Sequence, residues 1–91
     1  MKTTILKPSF FEFIPEVLEE GILYISLEYE VAIHLCCCGC KEQTVTPFNK
    51  NGWNLTINTV KNEVSLTPSI GNFQFPCKSH YFITNNKVIG I

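Results

Sequence analysis

Five cysteines and two histidines carry most of the chemistry that this sequence offers. Four of the cysteines lie within five residues, namely Cys36, Cys37, Cys38 and Cys40. Cys77 follows much later in the chain, with His80 three residues behind it. Thiolates and imidazoles are the usual ligands of a structural zinc ion, which takes four in a tetrahedron. Since neighbouring cysteines pair poorly and five is an odd number, the pattern favours a metal site over disulfides.

Two sets of four ligands fit this spacing. A zinc knuckle would use Cys37, Cys40, Cys77 and His80. A strand-like set would use Cys36, Cys38, Cys40 and Cys77, because residues at i, i+2 and i+4 of an extended chain share a face. In both sets Gly39 supplies the bend. Either set can close around the ion, which predicts structural zinc rather than a catalytic ion that keeps a position open for water.

Composition limits the classes of protein to consider. The chain has 91 residues, of which 45% are hydrophobic and 16% charged, so we expect one globular domain over residues 1–91. The hydrophobic core of a chain this short supplies only marginal stability, which a bound structural metal ion can increase. The net charge is −1 without a basic run, which argues against nucleic-acid binding. No apolar run approaches 18 residues, so no membrane span is expected.

The N-terminal residues lack the long apolar segment and small-residue cleavage site of a secretory signal. Clustered thiols without a signal peptide are typical of metal ligands in a reducing compartment. We therefore expect a cytoplasmic protein.

Alternating apolar residues and β-branched residues predict a mostly β, antiparallel fold stapled by zinc. Residues 1–20 form an aromatic-rich N-terminal extension, with a short helix or turn from Pro15 to Glu20, and residues 21–91 form the zinc-binding core. Strands are predicted in the following segments: 22–27, 31–35, 44–46, 53–58, 63–67, 81–84 and 87–91. Pro68–Asn72 is predicted as a loop or tight turn, and Asn85-Asn86 as a two-residue hairpin turn.

Several motifs occur in a characteristic order. They are His34-Leu35-Cys36-Cys37-Cys38-Gly39-Cys40, Val45-Thr46-Pro47, Trp53, Val64 to Asn72, and Pro76-Cys77-Lys78-Ser79-His80-Tyr81. Taken together they resemble the small BubE-like proteins, which are encoded beside bacterial ubiquitin-like conjugation genes. The resemblance extends from Leu23 to the C-terminus. The family's C-x-C-G-C motif maps onto Cys36, Cys38 and Cys40, which makes Cys77 the natural fourth ligand and leaves Cys37 over.

The resemblance implies a serine-type protease, a deubiquitinase-like hydrolase that matures or removes a ubiquitin-like protein. Such an enzyme needs a nucleophile, a base and an oxyanion donor. We rank Ser69 with His80 first and Ser79 with His34 second. Asn72 is a candidate for orienting an imidazole or donating to an oxyanion. The chain contains no aspartate, so an aspartate-assisted triad within one subunit is excluded.

Two other functions remain open at this stage. One is a non-catalytic zinc adaptor or ligase-like module that binds the ubiquitin-like protein or its E1/E2-type conjugating enzymes. The other is a hydrolase that activates water on zinc. Four thiolates enclosing the ion would argue against the latter, because they leave no open position.

Overall fold

The chain folds into two four-stranded β-sheets in a computed structural model that covers residues 1–91. The strands are β1 (Lys7–Phe10), β2 (Ile22–Ser26), β3 (Val31–Leu35), β4 (Gln43–Pro47), β5 (Asn54–Asn58), β6 (Glu63–Gly71), β7 (His80–Thr84) and β8 (Lys87–Gly90). The mostly β prediction is therefore confirmed. No helix in the structure has the length and apolar character needed to cross a membrane.

The first sheet has the strand order β1-β2-β3-β4, and the second has β5-β6-β7-β8. Every neighbouring pair is antiparallel except β1 and β2, which run parallel. The turn between β7 and β8 is Asn85-Asn86, with φ of 49° and 69°. Asparagine tolerates this left-handed conformation, and two such residues match the twist of the flanking strands.

Apolar side chains from both sheets form one core. Its members are Leu6, Leu23, Ile25, Ala32, Cys36, Cys37, Val64, Leu66, Ile70, Tyr81 and Ile83. Along β7 the alternation is strict: Tyr81 and Ile83 are buried while Phe82 and Thr84 are exposed. Because successive strand residues point to opposite faces, His80 lies on the outer face of the second sheet.

Residues near the N-terminus connect the two sheets. The backbone N–H of Leu6 donates to the carbonyl of Asn86 at 2.8 Å, and that of Val88 donates to Thr4 at 2.8 Å. Thr3 donates to the carbonyl of Cys37 at 2.9 Å. Leu6 itself is completely buried. The segment ahead of β1 thus bonds to the second sheet, while β1 extends the first.

The predicted helix between Pro15 and Glu20 does not form, and the segment consists of bends and a turn. Val17 is 82% exposed, so the segment lacks the buried apolar face that stabilises a short helix. The backbone N–H of Glu19 instead donates to the hydroxyl of Tyr24 at 2.9 Å. Of the two predicted alternatives, a helix or a turn, the structure shows the turn.

The loop predicted at Pro68–Asn72 is wrong for most of its length, because β6 continues through Gly71. Pairing with β7 shifts register between Leu66 and Ile70: three residues of β6 stand where β7 has only Phe82. Pro68 has no N–H to donate, and the bulge accommodates it on the side facing β7. On its other side Pro68 has no partner strand, because the pairing of β6 with β5 extends only as far as Thr67. A proline at this point bends the strand without ending it.

Candidate active site and metal centre

Four cysteine sulfurs lie close together at one end of the molecule. They are the Sγ atoms of Cys36, Cys38, Cys40 and Cys77, all within 4.8 Å of one another. The separations are 3.5 Å between Cys36 and Cys38, 3.7 Å between Cys36 and Cys77, and 3.8 Å between Cys40 and Cys77. Four such sulfurs could hold a metal ion.

These separations suit a tetrahedral thiolate site. With metal–sulfur bonds of about 2.3 Å, two ligands of a tetrahedron are about 3.8 Å apart. Hydrogen bonds from the Ser79 side chain and backbone lower the pKa of Cys77 to about 6, which favours the thiolate that a metal requires. Desolvation raises the pKa of Cys38 to about 12, so these neighbouring thiols do not all ionise without a cation between them. The cluster therefore fits a four-sulfur site by its distances and by its type of ligand.

Two short irregular segments present the ligands. Cys36 directly follows β3, and a turn over residues 37–40 carries Cys38 and Cys40. Gly39 in this turn has φ of +96°, a conformation that L side chains rarely adopt. Cys77 comes from the loop between β6 and β7, which folds back through two turn hydrogen bonds. A bound ion would thus fix the loop that joins the two central strands of the second sheet.

The two ligands peculiar to the zinc knuckle lie elsewhere. Cys37 is buried in the core beside Tyr81, and burial raises the pKa of its thiol to about 11. His80 points to the opposite face of β7 from Tyr81. Neither residue belongs to the sulfur cluster. The set of Cys36, Cys38, Cys40 and Cys77 is the one whose atoms converge. A turn over residues 37–40, and not the predicted extended strand, brings the first three together.

Ser69 and His80 meet on the outer face of the second sheet. Ser69 Oγ lies 2.7 Å from His80 Nε2, so the hydroxyl donates to the ring when Nε2 is unprotonated. Both residues are half-buried and remain accessible. Ser69 is the last residue of the bulge in β6, and His80 begins β7 opposite Gly71. The bulge is therefore what aims the serine hydroxyl at the histidine.

The His80 ring is positioned by an aromatic neighbour. The Phe73 ring packs against it in a T-shaped arrangement, with 5.3 Å between the ring centroids. A Cβ on Gly71 would lie 2.5 Å from Cε2 of Phe73, so glycine makes room for this ring. No side chain hydrogen-bonds to Nδ1 of His80. The pair is a dyad, in agreement with the absence of aspartate.

The other predicted residues join a buried polar network. Ser79 Oγ lies 3.0 Å from Cys36 Sγ and accepts from Asn72 Nδ2 at 3.2 Å. Asn72 Nδ2 also approaches the Tyr81 hydroxyl at 3.3 Å. That hydroxyl lies 2.6 Å from His34 Nε2. The structure thus does not bring Ser79 and His34 into contact, and Asn72 touches neither Ser69 nor His80.

Burial sets the protonation of this network. His34 is completely buried, and desolvation lowers its pKa to about 4. Burial also raises the pKa of Tyr81, so its hydroxyl stays protonated. A neutral imidazole and a protonated phenol form an ordinary hydrogen bond, with Tyr81 donating to His34. This part of the molecule holds polar groups in place between the core and the sulfur cluster.

Three features of the site were not predicted from the sequence. They are the buried hydroxyl of Tyr81, the ring of Phe73 against His80, and the bulge around Pro68. Tyr81 carried a usable signal, since it directly follows His80 and must face the other way on a strand. Phe73 had none, because its contact depends on the space left by Gly71.

Fold and site together define a small all-β protein with a four-cysteine cluster that could hold a metal ion and an accessible serine–histidine pair. Residues 10–90 match the family described as "Bacterial ubiquitination-like system serine protease (BubE)". The chain therefore belongs to the BubE family. The match begins earlier than the resemblance seen in the motifs, which started at Leu23. Neither curated proteins nor solved structures gave a match.

Proposed function

We propose that this protein is a serine peptidase that matures or deconjugates a bacterial ubiquitin-like protein, with Ser69 as nucleophile and His80 as general base. The observation that carries the proposal is the 2.7 Å contact between Ser69 Oγ and His80 Nε2 on an accessible face. It is supported by membership of a family described as serine proteases of a bacterial ubiquitination-like system. We accordingly propose that its partners are the ubiquitin-like protein and the E1/E2-type enzymes of that system.

The chemistry follows from the geometry of the pair. Ser69 Oγ attacks the scissile carbonyl carbon while Nε2 of His80 takes its proton. The imidazolium then returns the proton to the leaving amine as the C–N bond breaks, which leaves an acyl group on Ser69. A water molecule, deprotonated by the same nitrogen, releases that acyl group and regenerates the serine. No carboxylate lies on Nδ1, so the half-buried imidazolium is stabilised by solvent, while the Phe73 ring packs against the imidazole and holds its orientation.

We further propose that Cys36, Cys38, Cys40 and Cys77 bind one Zn²⁺ with a structural role. Four thiolates leave no position for water on the ion, so the chemistry stays with the dyad. The ion would hold the β6–β7 loop and with it the relative placement of Ser69 and His80. Thiolate ligands also suit a reducing compartment, so we place the protein in the cytoplasm.

The direct test is cleavage of a ubiquitin-like precursor from the same genome that carries a C-terminal extension. Ser69→Ala should abolish cleavage, whereas Ser9→Ala, a serine without a side-chain hydrogen bond, should cleave at the wild-type rate. Ser79→Ala tests the other predicted nucleophile and should still cleave whenever it is folded and holds its metal. A fluorophosphonate reagent should label Ser69, as located by peptide mass spectrometry. Cleavage by Ser69→Ala at the wild-type rate would refute the mechanism, and binding of the precursor without cleavage would indicate an adaptor.

A further inference from the structure

A cleft of about 310 Å³ lies between the edge of the first sheet and the end of β6. Residues 43–45 of β4 form one wall, residues 70–72 form the other, and Trp53 lies among the remaining lining residues. None of the lining residues is charged. At its base, Thr44 and Asn72 contact each other through their side chains at 3.5 Å. The two sheets thus leave an uncharged channel between two strands.

The wall formed by β4 presents unpaired backbone groups. Cys36 N–H donates to the carbonyl of Glu42, so on β4 the even-numbered residues bond to β3. In an antiparallel pair the intervening residues point the other way, so N–H and C=O of Gln43 and Val45 face outward. No other strand pairs with β4. The row ends at Pro47, whose carbonyl accepts from Trp53 at 2.8 Å.

The wall formed by β6 has the same property at Gly71. Asn72 N–H donates to the carbonyl of Ser79 at 2.7 Å, so Asn72 and Ile70 bond toward β7. Gly71 then points its N–H and C=O away from β7. On that side β5 has already ended opposite Thr67. Gly71 therefore offers one free donor and one free acceptor in the plane of the sheet, while the Phe73 ring covers the face where a side chain of Gly71 would stand.

We infer that this cleft binds an extended, uncharged segment of the substrate polypeptide as an added β-strand, paired with Gln43, Val45 and Gly71. Extended backbone is the ligand whose donors and acceptors repeat every second residue, as these do. Gly71 lies opposite His80 and two residues after Ser69, a span of about 7 Å along a strand. A bound strand would therefore run beside the dyad. The inference rests on the proposed function for the identity of the polypeptide.

Amide hydrogen exchange tests the added strand directly. Ser69→Ala protein is mixed with the uncleaved ubiquitin-like precursor and followed by NMR. The amides of Gln43, Val45 and Gly71 should exchange at least about 10-fold more slowly in the complex. The amide of Thr44 already bonds to β3 and should change little. Unchanged exchange at all three amides under saturating precursor would overturn the inference.

A proline substitution in β4 tests the same added strand through the kinetics of cleavage. Val45→Pro removes an outward N–H from an edge strand, where proline is tolerated, and should raise KM about 10-fold with kcat nearly unchanged. Val45→Ala keeps the N–H and should change KM less than about threefold. Circular dichroism checks folding, and if Val45→Pro does not fold, the exchange measurement alone decides.

The two proposals fail separately. Wild-type cleavage with neither amide protection nor an effect of Val45→Pro would refute the cleft and leave the peptidase standing. Protection of the three amides in a protein that never cleaves the precursor would refute the peptidase and leave the cleft standing. Neither cleavage nor protection would refute both.

Discussion

Two histidines in this protein each meet a hydroxyl at nearly the same distance, 2.7 Å for His80 with Ser69 and 2.6 Å for His34 with Tyr81. Their hydroxyl partners differ in burial, and so do the rings: His34 is completely buried and His80 is half-buried. A short hydrogen bond therefore does not distinguish a reactive pair from a structural one. Access for a substrate differs between the two pairs, and under the proposed function only the Ser69–His80 pair is reactive.

The largest effect should come from the metal ligands, because both pairs depend on the strands that the cluster holds together. Cys77→Ser should lose the metal and most of the folded population, since metal binding in small domains stabilises folding by about 10 kcal/mol or more. Cys37→Ser is the matched control. It should keep about one zinc per chain and lose only about 1–3 kcal/mol for a buried hydroxyl.

Elemental analysis and thermal unfolding measure both variants. Full metal content in Cys77→Ser, or complete metal loss in Cys37→Ser, would contradict the ligand set. Freshly purified wild-type protein without metal would contradict the site as a whole.

Replacing each histidine separately should give the next largest effects on cleavage and on stability. His80→Gln should reduce kcat for precursor cleavage by about 10³-fold with little change in the unfolding temperature, because the base is lost from an accessible face. His34→Gln should do the reverse, cleaving normally while the free energy of unfolding falls by about 1–3 kcal/mol. A larger kcat loss in folded His34→Gln than in His80→Gln would invert the assignment.

The buried pair can be tested more finely through its hydroxyl. Tyr81→Phe leaves Nε2 of His34 and Nδ2 of Asn72 with one partner fewer in a dry environment. The free energy of unfolding should fall by about 1–3 kcal/mol, as measured by denaturant titration. Cleavage at temperatures where the variant is folded should match wild type. No loss of stability would mean that this pair contributes little to the fold.

The smallest effect concerns the aromatic neighbour of the exposed pair. Phe73 is 62% exposed, so Phe73→Ala should cost little stability, but the His80 ring would lose its packing partner. We expect kcat to fall about 10-fold with KM nearly unchanged, since misplacement of a catalytic group costs rate. Phe13→Ala removes an equally exposed ring distant in sequence from the dyad and should leave kcat unchanged. Equal kcat for both variants would remove Phe73 from the site.

Much of the fold follows from local patterning. Alternation predicted the strand around Leu66, and runs of apolar and β-branched residues predicted the strands around Ile33 and Ile83. The tolerance of asparagine for positive φ predicted the Asn85-Asn86 turn. The spacing of Cys36, Cys38 and Cys40, together with the family resemblance, predicted the cysteines that converge. The strands, the turn and the Cys36–Cys40 motif share one property: each is determined within a short stretch of chain. The convergence with Cys77 is not local, and the family resemblance supplied it.

The features that escaped prediction depend on distant parts of the chain. Pro68 was read as the end of a strand, but it is tolerated because β5 has ended beside it. The helix at Pro15–Glu20 failed for want of an apolar face to bury, which only the packed structure decides. The sequence left two serines as candidate nucleophiles, and only the bulge in β6 brings one of them to an accessible histidine.

The hydrogen bonds between the N-terminal residues and β8 also bear on how the chain assembles. Leu6 and Asn86 are bonded partners eighty positions apart, so the segment ahead of β1 can make this bond only after Asn86 has been synthesised. Pairing over such a separation slows folding, because loop closure precedes the stabilising contacts. Leu6 is also completely buried in the folded protein, so the burial of this apolar side chain accompanies the long-range pairing.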